Sequence, residues 1–304
     1  MTLLVADVGG TNTRIGLSDA DGVAQIRRYE NDAYPSFDAV LKSYLSQVGQ
    51  VDLSGAVIAV AGPVTSTQAK LTNRDWSFDS AQLAQILPGA PKVHLINDLV
   101  ALGHALPHLT EGQQSTLLSG VDHRLNTQKL VAGVGTGFNV CLLRDGVVME
   151  AELGHASLPY SVATLLRDAL GAEAKRFTSN EAVLSGRGLS RLYQAMTGQA
   201  LTGSQIIAAA EAGDCRSASD TITLMARLLG CFTRELVFQY LPFGGIHFAG
   251  GAARGVLGSD AREAFLMALL NDGPFHEQVA QVPVHVILDD QAALIGAACY
   301  FEGR

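Results

Sequence analysis

The feature that most constrains the fold is a repeated segment. Residues 5–13 read VADVGGTNT, and residues 131–139, at a shift of 126, read VAGVGTGFN. In both places an apolar strand enters a glycine turn and a second strand leaves it. A D-G turn then precedes a third strand, at Asp21-Gly22 and Asp145-Gly146. Chance likeness between two glycine-bearing strands is the alternative. Taken as a repeat, the pattern predicts two similar domains.

Strands alternate with helices after each repeated unit, which favours an α/β fold with largely buried sheets. Apolar spacing predicts helices over residues 36–48, 78–87, 99–106, 189–196, 204–212, 218–240 and 291–301. We expect a small α/β domain over residues 1–107, to which residues 291–304 return. A large α/β domain is expected over residues 108–290.

Charge and cysteine content narrow the class of protein. The net charge is −8, which gives no general attraction to nucleic acid or to an anionic membrane. No apolar stretch reaches the roughly 18 residues that a membrane span needs. The absence of a leader-like N-terminus predicts a cytoplasmic protein. The four cysteines include no C-x-x-C pair, so neither a structural zinc nor a disulfide framework is expected.

The first glycine turn follows its strand directly and is a candidate phosphate site. Gly9 and Gly10 allow the backbone to approach a phosphate, and Thr11 and Asn12 add hydrogen-bonding side chains. Asp7 stands at the strand end, where a carboxylate can hold Mg²⁺ directly or through water. The alternative is an ordinary hairpin with a glycine turn.

Two later glycine turns are further candidates for nucleotide binding. Gly135-Thr136-Gly137 repeats the first turn, and two such turns together could hold a triphosphate. Gly250-Gly251 follows a strand and precedes a helix, a place where an adenine and ribose could lie against bare backbone. The alternative is an ordinary tight turn between a strand and a helix, which would have a similar sequence.

Asn97 and Asp98 follow the strand at residues 93–96 and begin a helix. Either residue could simply be the N-cap of that helix. Ligands in α/β proteins also bind at the carboxyl ends of buried strands. A phosphoryl-transfer enzyme needs one carboxylate to accept the proton of the attacking hydroxyl, and Asp98 suits that role by position.

Glu152 and His155 come at the end of the third strand of the second repeat, and Glu181 begins another helix. Carboxylate and imidazole groups together can bind several hydroxyls of a sugar. Taken alone, Glu181 is also an ordinary first-turn acid, favourable at a helix N-terminus.

Taken in order along the chain, these motifs resemble the bacterial glucokinase family. The matching segments are residues 7–12 (DVGGTN), Thr72-Asn73, residues 96–98 (IND), residues 135–137 (GTG), Glu152-x-Gly-His155, residues 181–186 (EAVLSG) and residues 249–251 (AGG). The resemblance implies a two-domain, actin-like (ribonuclease H-like) sugar kinase fold with its active site in the interdomain cleft.

The same resemblance assigns roles to residues. Asp98 would be the catalytic base, and the sugar bound would be a hexose, glucose. Asp7 would serve the Mg²⁺ that accompanies ATP. The sugar-binding set would be Thr72, Asn73, Asn97, Asp98, Glu152, His155 and Glu181. The ATP-binding set would be Asp7, Gly9, Gly10, Thr11, Asn12, Gly135, Thr136, Gly137, Gly250 and Gly251.

The sequence departs from the family pattern at two positions. The family usually reads G-T-G-L-G, whereas Asn139 here replaces the last glycine. Its side chain could crowd the nucleotide or replace a water. The family also tends to read E-G-G-H, and Leu153 here adds bulk next to Glu152. These departures bear on nucleotide affinity and on which hexose is preferred.

Three other functions fit parts of the pattern. One is a kinase of the same fold for a related hexose or an amino sugar, and another is a sugar-binding sensor without turnover. The third, a filament-forming ATPase, shares the fold but does not explain the sugar-binding set. Retention of Asp98 favours the enzyme over the sensor. The expected partners are a hexose and ATP, with no nucleic acid and no membrane, and a homodimer is one possible assembly.

Overall fold

The structure, a computed structural model, describes residues 1–121 and 126–303. They form two compact units, which are described separately. The first unit contains Met1–Leu109, Gly146–Val148 and Asp289–Arg304, and the second contains Thr110–Asp145 and Met149–Leu288.

The first 109 residues supply most of the first unit. Its elements are β1 (Leu3–Val8), β2 (Asn12–Asp19), β3 (Gly22–Glu30), α1 (Phe37–Val48), β4 (Gly55–Val60), β5 (Gln68–Lys70), β6 (Ser77–Asp79), α2 (Ser80–Ile86), β7 (Val93–Asn97) and α3 (Asp98–Ala105). Short 3₁₀ helices occur at Asn31–Ala33 and Leu106–His108.

The rest of the chain forms the second unit and then returns to the first. The elements are β8 (Gln114–Leu118), β9 (Lys129–Val134), β10 (Phe138–Arg144), β11 (Val147–Glu150), α4 (Tyr160–Leu170), α5 (Asn180–Val183), α6 (Gly186–Thr197), α7 (Gly203–Glu211), α8 (Arg216–Tyr240), β12 (Gly245–Ala249), α9 (Gly251–Leu257), α10 (Arg262–Leu269), α11 (His276–Ala280), β13 (Val284–Ile287) and α12 (Ala292–Glu302). Helix α12 belongs to the first unit. Further 3₁₀ helices lie at Glu111–Gln113, Leu153–His155 and Gly171–Arg176.

The main sheets of the two units share one strand order over five strands, and the second sheet has β8 as an additional edge strand. The first has the strand order β3-β2-β1-β4-β7, and the second has the order β11-β10-β9-β12-β13-β8. In the first, β1 is antiparallel to β2 and parallel to β4, which is parallel to β7. In the second, β9 is antiparallel to β10 and parallel to β12, which is parallel to β13. The predicted repeat is therefore confirmed, since chance likeness would not extend to pairing and direction.

The parallel strands bring the carboxyl ends of distant segments to one edge of each sheet. In the first sheet Asp7 pairs with Ala59, and Val60 pairs with Asn97. In the second sheet Gly133 pairs with Ala249. The predicted site residues follow these strand ends, which explains how residues far apart in sequence become neighbours.

Burial on both faces explains the apolar run of β1. Leu4 and Ala6 face a core that includes Phe37 and Leu83, whereas Val5 faces a second core with Leu294 and Ala297 of α12. A strand covered on both faces gains from apolar residues at every position, so it does not alternate with polar residues.

Local signals account for the start of several helices. The Ser36 hydroxyl caps α1 by accepting from the N–H of Ala39. The expected start of the second helix at Phe78 is wrong, because Phe78 lies in β6 and Asp79 caps α2, which begins at Ser80. Within the described residues, no helix has the length and apolar character needed to cross a membrane.

Candidate active site

Asn31 holds the first glycine turn in place. The turn closes on itself through the N–H of Gly9, which donates to the carbonyl of Asn12 at 3.0 Å. Asn31 is fully buried and donates from Nδ2 to the Gly9 carbonyl at 2.8 Å. Its Oδ1 accepts from the buried Thr13 hydroxyl at 2.8 Å, and its own N–H donates to the Thr11 carbonyl at 2.9 Å. The turn between β1 and β2 is thus bound to the end of β3.

Asp7 belongs to a charged group at the end of β1. Arg14 donates from Nη1 to the Asp7 carboxylate at 3.2 Å, and its Nη2 lies 3.1 Å from the Asp290 carboxylate. Burial raises the pKa of Asp7 above its ordinary value, and Asp290 adds to the increase, whereas Arg14 opposes it. The Asp7 carboxylate is only 14% exposed. An oxygen donor in this setting suits a hard cation such as Mg²⁺.

Asn97 and Asp98 have separate roles at the end of β7. Asn97 is the N-cap of α3, and its Oδ1 accepts from the N–H of Leu99 at 2.9 Å. Its Nδ2 donates to the Gly62 carbonyl at 3.1 Å. Asp98 is the first residue inside the helix. The capping role that was the alternative explanation for Asp98 therefore belongs to its neighbour.

The pKa of the Asp98 carboxyl is raised to about 7. The main cause is burial, which disfavours the charged form, and the negative charge of Asp7 adds to it. Hydrogen bonds from the backbone N–H groups of Leu99 and Asp98 and from the Asn97 side chain oppose the shift. A carboxyl that titrates near neutral pH is suited to general base catalysis.

Thr72 and Asn73 lie near the same strand ends of the first unit. The N–H of Thr72 donates to the Ala61 carbonyl at 3.2 Å. Asn73 is adjacent to the first glycine turn, since a Cβ on Gly10 would come within 3.4 Å of the Asn73 Cβ. Both side chains are exposed. The first unit therefore brings its predicted sugar residues and its predicted phosphate turn to one edge.

The second unit brings its two glycine turns together. The N–H of Gly135 donates to the Gly137 carbonyl at 3.0 Å and closes the turn before β10, in which Thr136 is exposed. Gly250 has φ 102°, and a Cβ there would lie 2.6 Å from the Val134 carbonyl oxygen. The turn that precedes α9 therefore packs against the end of β9 and requires glycine. Gly251 follows as the first residue of α9.

Glu181 is bound to the second glycine turn. Its Oε2 accepts from the N–H of Phe138 at 3.1 Å, and its Oε1 accepts from Arg187 at 2.8 Å. A Cβ on Gly137 would lie 2.5 Å from Oε2. Ser179, one residue before α5, is the N-cap of that helix. Glu181 thus connects the helix to the turn, and each carboxylate oxygen keeps a lone pair for a further donor.

Glu152 precedes a 3₁₀ turn that Asn139 contacts, and His155 is the last residue of that turn. Asn139 donates from Nδ2 to Oε2 of Glu152 at 3.1 Å, and its Oδ1 accepts from the Leu153 N–H at 2.9 Å. Asn180 donates to the Leu153 carbonyl at 2.8 Å. The Asn139 amide is therefore directed to the Glu152-Leu153 segment. Glu152 follows β11 rather than ending it, and both Glu152 and His155 are exposed.

Three residues at these sites were not predicted from the sequence: Asn31, Arg14 and Arg187. A buried asparagine at the end of β3 gives no motif, because its partners lie 18 and 22 residues earlier in the chain. Arg14 carried one weak signal, a basic residue inside the strand β2. Arg187 follows the matched segment at residues 181–186 directly and could have been noted there.

Comparison with known proteins places these features in a family. The family model described as glucokinase matches residues 4–304. The glucokinase of Psychromonas ingrahamii is 31% identical over 314 residues, covering 98% of this chain and 96% of that protein. The crystal structure of a glucokinase from an Antarctic psychrotroph superposes with a TM-score of 0.82 at 28% identity, covering 100% of this chain and 99% of that one.

A more distant structure shows how far the fold extends. A ROK family glucokinase from Streptomyces griseus, solved with glucose and AMPPNP, has a TM-score of 0.68 at 19% identity and covers 98% of both chains. At that identity the likeness concerns the fold alone.

The α/β fold and the matching kinase structures define an enzyme of the sugar kinase class with the actin-like fold, so the predicted fold class is confirmed. The chain belongs to the glucokinase family.

Proposed function

We propose that the enzyme transfers the γ-phosphate of ATP to the 6-hydroxyl of glucose, giving glucose 6-phosphate and ADP. The observation that carries the proposal is Asp98, a partly buried carboxyl at the end of β7 with a pKa of about 7. A carboxylate of that basicity accepts a hydroxyl proton effectively at neutral pH. Asn97 caps the helix, so Asp98 is not needed for that structural purpose.

The proposed reaction follows from this placement. Asp98 orients the 6-hydroxyl and takes its proton as the oxygen forms a bond to the γ-phosphorus. The bond between that phosphorus and the oxygen bridging to the β-phosphate breaks, and ADP leaves with the electron pair. A base that is largely unprotonated above pH 7 is ready for each turnover.

We propose a sugar-binding role for two sets of residues, one in each unit. Asn97 beside Asp98, with Thr72 and Asn73, would contribute from the first unit. Glu152, His155 and Glu181 would contribute from the second. Their amide, hydroxyl, carboxylate and imidazole groups can donate to and accept from the hydroxyls of a hexose. A sugar that lacks one of those hydroxyls leaves a polar group unpaired and is bound less tightly.

ATP binding is assigned to the glycine turns. Gly9, Gly10, Thr11 and Asn12 of the first turn would hold phosphate oxygens through backbone N–H groups and short side chains. Gly135, Thr136 and Gly137 would do the same in the second unit. Gly250 and Gly251 would accommodate the adenosine. The packing of the Gly250 turn on the end of β9 supports this assignment, because it brings two glycine turns of one unit together.

Asp7 is the residue proposed to bind Mg²⁺, directly or through water. Its carboxylate is the kind of ligand that Mg²⁺ prefers, and one or two carboxylates plus substrate phosphates commonly suffice. Within residues 1–121 and 126–303 there is no cluster of three or more metal-binding side chains, and such a cluster is not required for this mode of binding. When bound, the ion would neutralise charge on the phosphates. Arg14 balances the Asp7 charge from the protein side.

We also propose that the enzyme works in the cytoplasm. All four cysteines are free thiols, and Cys141 is buried. Free thiols in a chain with four cysteines support a reducing compartment.

An assay of ADP release across a panel of sugars tests the function. The panel contains glucose, mannose, fructose, galactose and glucosamine, with ATP and Mg²⁺, and a reaction without sugar is the control. We expect the highest kcat/KM with glucose and loss of turnover when Mg²⁺ is chelated. Equal ADP release with and without every sugar would exclude a sugar kinase, and a preference for glucosamine would replace glucose by an amino sugar.

A further inference from the structure

The two positions at which this chain departs from the family pattern contact each other. Asn139 stands where the pattern G-T-G-L-G has its last glycine, and Leu153 stands where E-G-G-H has its first. The Asn139 Oδ1 accepts from the Leu153 N–H at 2.9 Å. Glycine at position 139 has no side chain to make this bond, so the contact depends on the departure itself.

The orientation of the Asn139 amide is determined by its partners. Its Oδ1 accepts from the N–H groups of Val140 and Leu153, each at 2.9 Å. Its Nδ2 donates to Oε2 of Glu152 at 3.1 Å. The reverse orientation would direct an NH₂ group at two N–H donors and a carbonyl oxygen at a carboxylate. Only one orientation satisfies the three neighbours.

The segment that follows Glu152 is held from several sides. Asn139 binds the N–H of Leu153, and Asn180 binds its carbonyl at 2.8 Å, so both polar groups of this residue's backbone are engaged. Asn180 is itself buried. The Leu153 side chain packs against the hydrophobic core of the second unit. Leu153 is thus anchored by its backbone and its side chain.

This anchoring determines which part of Glu152 is available to a ligand. Oε2 is held by the Asn139 amide, whereas Oε1 has no hydrogen bond to the part of the protein that the structure describes. An exposed glutamate loses rotamer freedom when it binds a ligand, and that loss opposes binding. A glutamate already held by a neighbouring amide loses less.

We propose that Asn139 is a positioning residue for sugar binding: with Leu153 it holds the Glu152 carboxylate and the Leu153–His155 turn in the orientation that binds the sugar. The proposal rests on the assignment of Glu152 and His155 to sugar binding. The two departures act together, because a side-chain amide and a core-anchored leucine replace two flexible glycines.

Asn139→Asp separates this role from a general structural one. Aspartate keeps an oxygen for the Leu153 and Val140 N–H groups, but it loses the donor and directs a carboxylate at Glu152. We expect the Kd for glucose, measured by calorimetry, to rise about tenfold or more, since a hydrogen bond to a charged group is lost. The KM for ATP should stay within about twofold and the Tm close to wild type. Asn271→Asp, at an exposed asparagine after α10, controls for the added charge.

Asn139→Gly restores the family residue and removes all three bonds. We expect weaker glucose binding and an unchanged KM for ATP. A lower KM for ATP with unchanged glucose binding would instead show that Asn139 crowds the nucleotide and would overturn the proposal. Circular dichroism of each variant confirms that the full chain is folded.

A double-mutant cycle with Glu152→Ala shows whether Asn139 acts through Glu152. We expect Asn139→Asp to change the glucose Kd less than about twofold in the Glu152→Ala background. An equal effect in both backgrounds would overturn the proposal. If Glu152→Ala weakens glucose binding but Asn139→Asp does not, Asn139 has no positioning role and the proposed function stands. If Glu152→Ala leaves glucose binding unchanged, the sugar-binding assignment of Glu152 itself is wrong.

Discussion

Arg14 donates to the carboxylate of Asp7 at 3.2 Å from the adjacent strand, in a register that pairs the two residues directly across β1 and β2. The guanidinium and the carboxylate are 19% and 14% exposed, so both are largely removed from water. Partners in such a setting depend on each other, because a buried charge that loses its counter-charge is destabilising.

Arg14→Met should therefore lower the free energy of unfolding. It leaves Asp7 without its ion pair and removes the bridge to Asp290. We expect the free energy of unfolding to fall by about 1–3 kcal/mol. This is less than the loss expected on breaking a fully buried ion pair, because Asp290 is half exposed. Urea unfolding measures the change. Arg27→Met, at an exposed arginine on β3, is the matched control and should change stability by less than about 0.5 kcal/mol. Equal losses in the two variants would contradict the prediction.

Asp98→Asn should reduce kcat by about 10²–10⁴, the usual contribution of a positioned general base. The amide retains the shape of the side chain but cannot accept the proton, so the glucose Kd should change little. Steady-state kinetics and calorimetry on one variant test both expectations. A variant that retains more than about a tenth of its turnover would exclude Asp98 as the base.

The pH profile should report the raised pKa of Asp98. Since the base must be unprotonated, kcat/KM for glucose should fall about tenfold per pH unit below pH 7 and level off above it. The charge of Asp7 adds to this shift, and its partners Arg14 and Asp290 face it from β2 and from the segment before α12. A profile that stays flat from pH 5.5 to pH 8.5 would be inconsistent with Asp98 as the titrating base.

The same shift predicts a pH-dependent difference in stability. The folded-state pKa of about 7 lies above the ordinary value of 3.8, so the protonated carboxyl is favoured in the folded protein. Its contribution to stability is fully present below about pH 3.8 and is lost as the pH rises through about 7. The asparagine in Asp98→Asn does not ionise, so the variant does not lose this stability as the pH rises. The Tm of the variant minus the Tm of the wild type should therefore be larger at pH 8 than at pH 5. Thermal unfolding at the two pH values checks the sign.

Asn31→Ala should destabilise the first glycine turn and weaken nucleotide binding. The change removes a buried donor to the Gly9 carbonyl and the acceptor of the Thr13 hydroxyl. We expect a loss of about 1–3 kcal/mol in unfolding free energy and a higher KM for ATP, with the KM for glucose little changed. Asn31→Asp keeps the acceptor for Thr13 but directs a buried carboxylate at the Gly9 carbonyl, so it should lose at least as much. A rise in both KM values by the same factor would argue against a specific link to the phosphate turn.

Gly296→Ala should destabilise the first unit by overpacking. A Cβ at this position would overlap the Ala101 carbonyl oxygen and lie 2.9 Å from the backbone nitrogen of Ala105, so α12 would have to move away from α3. We expect a loss of about 1–3 kcal/mol or more. Gly303→Ala, at the C-cap of the same helix, would meet only an ordinary contact of 3.6 Å with the Cys299 carbonyl oxygen and is the control. Equal Tm values for the two variants would contradict close packing of α3 and α12.

Features that depend on neighbours in sequence were predictable. The Ser36 cap, the strand at β7 and the repeated β-turn-β-turn-β unit each follow from a few consecutive residues. Phe78 was assigned to a helix because its apolar side chain fits helical spacing, whereas the pairing of Ala69 with Phe78 makes it part of a short strand. The pairing could not be predicted without knowing where the chain between these two residues turns.

Side-chain bonds between distant segments were not predictable in the same way. Asn139 could be recognised as a departure from a pattern, but its direction depends on Glu152 and Leu153, which lie 13 and 14 residues later. Asn31 has no recognisable motif because its partners belong to β2 and to the first glycine turn. Such roles emerge only when the strands are paired, since the distances are set by sheet register rather than by sequence spacing.

The position of α12 has a consequence for the order of folding during synthesis. Helix α12 is made after the whole second unit, and its Leu294 and Ala297 complete the core behind Val5 and Val57. On the ribosome, the unit that emerges first therefore remains incomplete until α12 has been made, although the second unit can already be whole. A chain interrupted before α12 would thus expose the apolar back of the first sheet, and nascent chains that end before Asp289 and after Glu302 should differ sharply in protease resistance over residues 1–109.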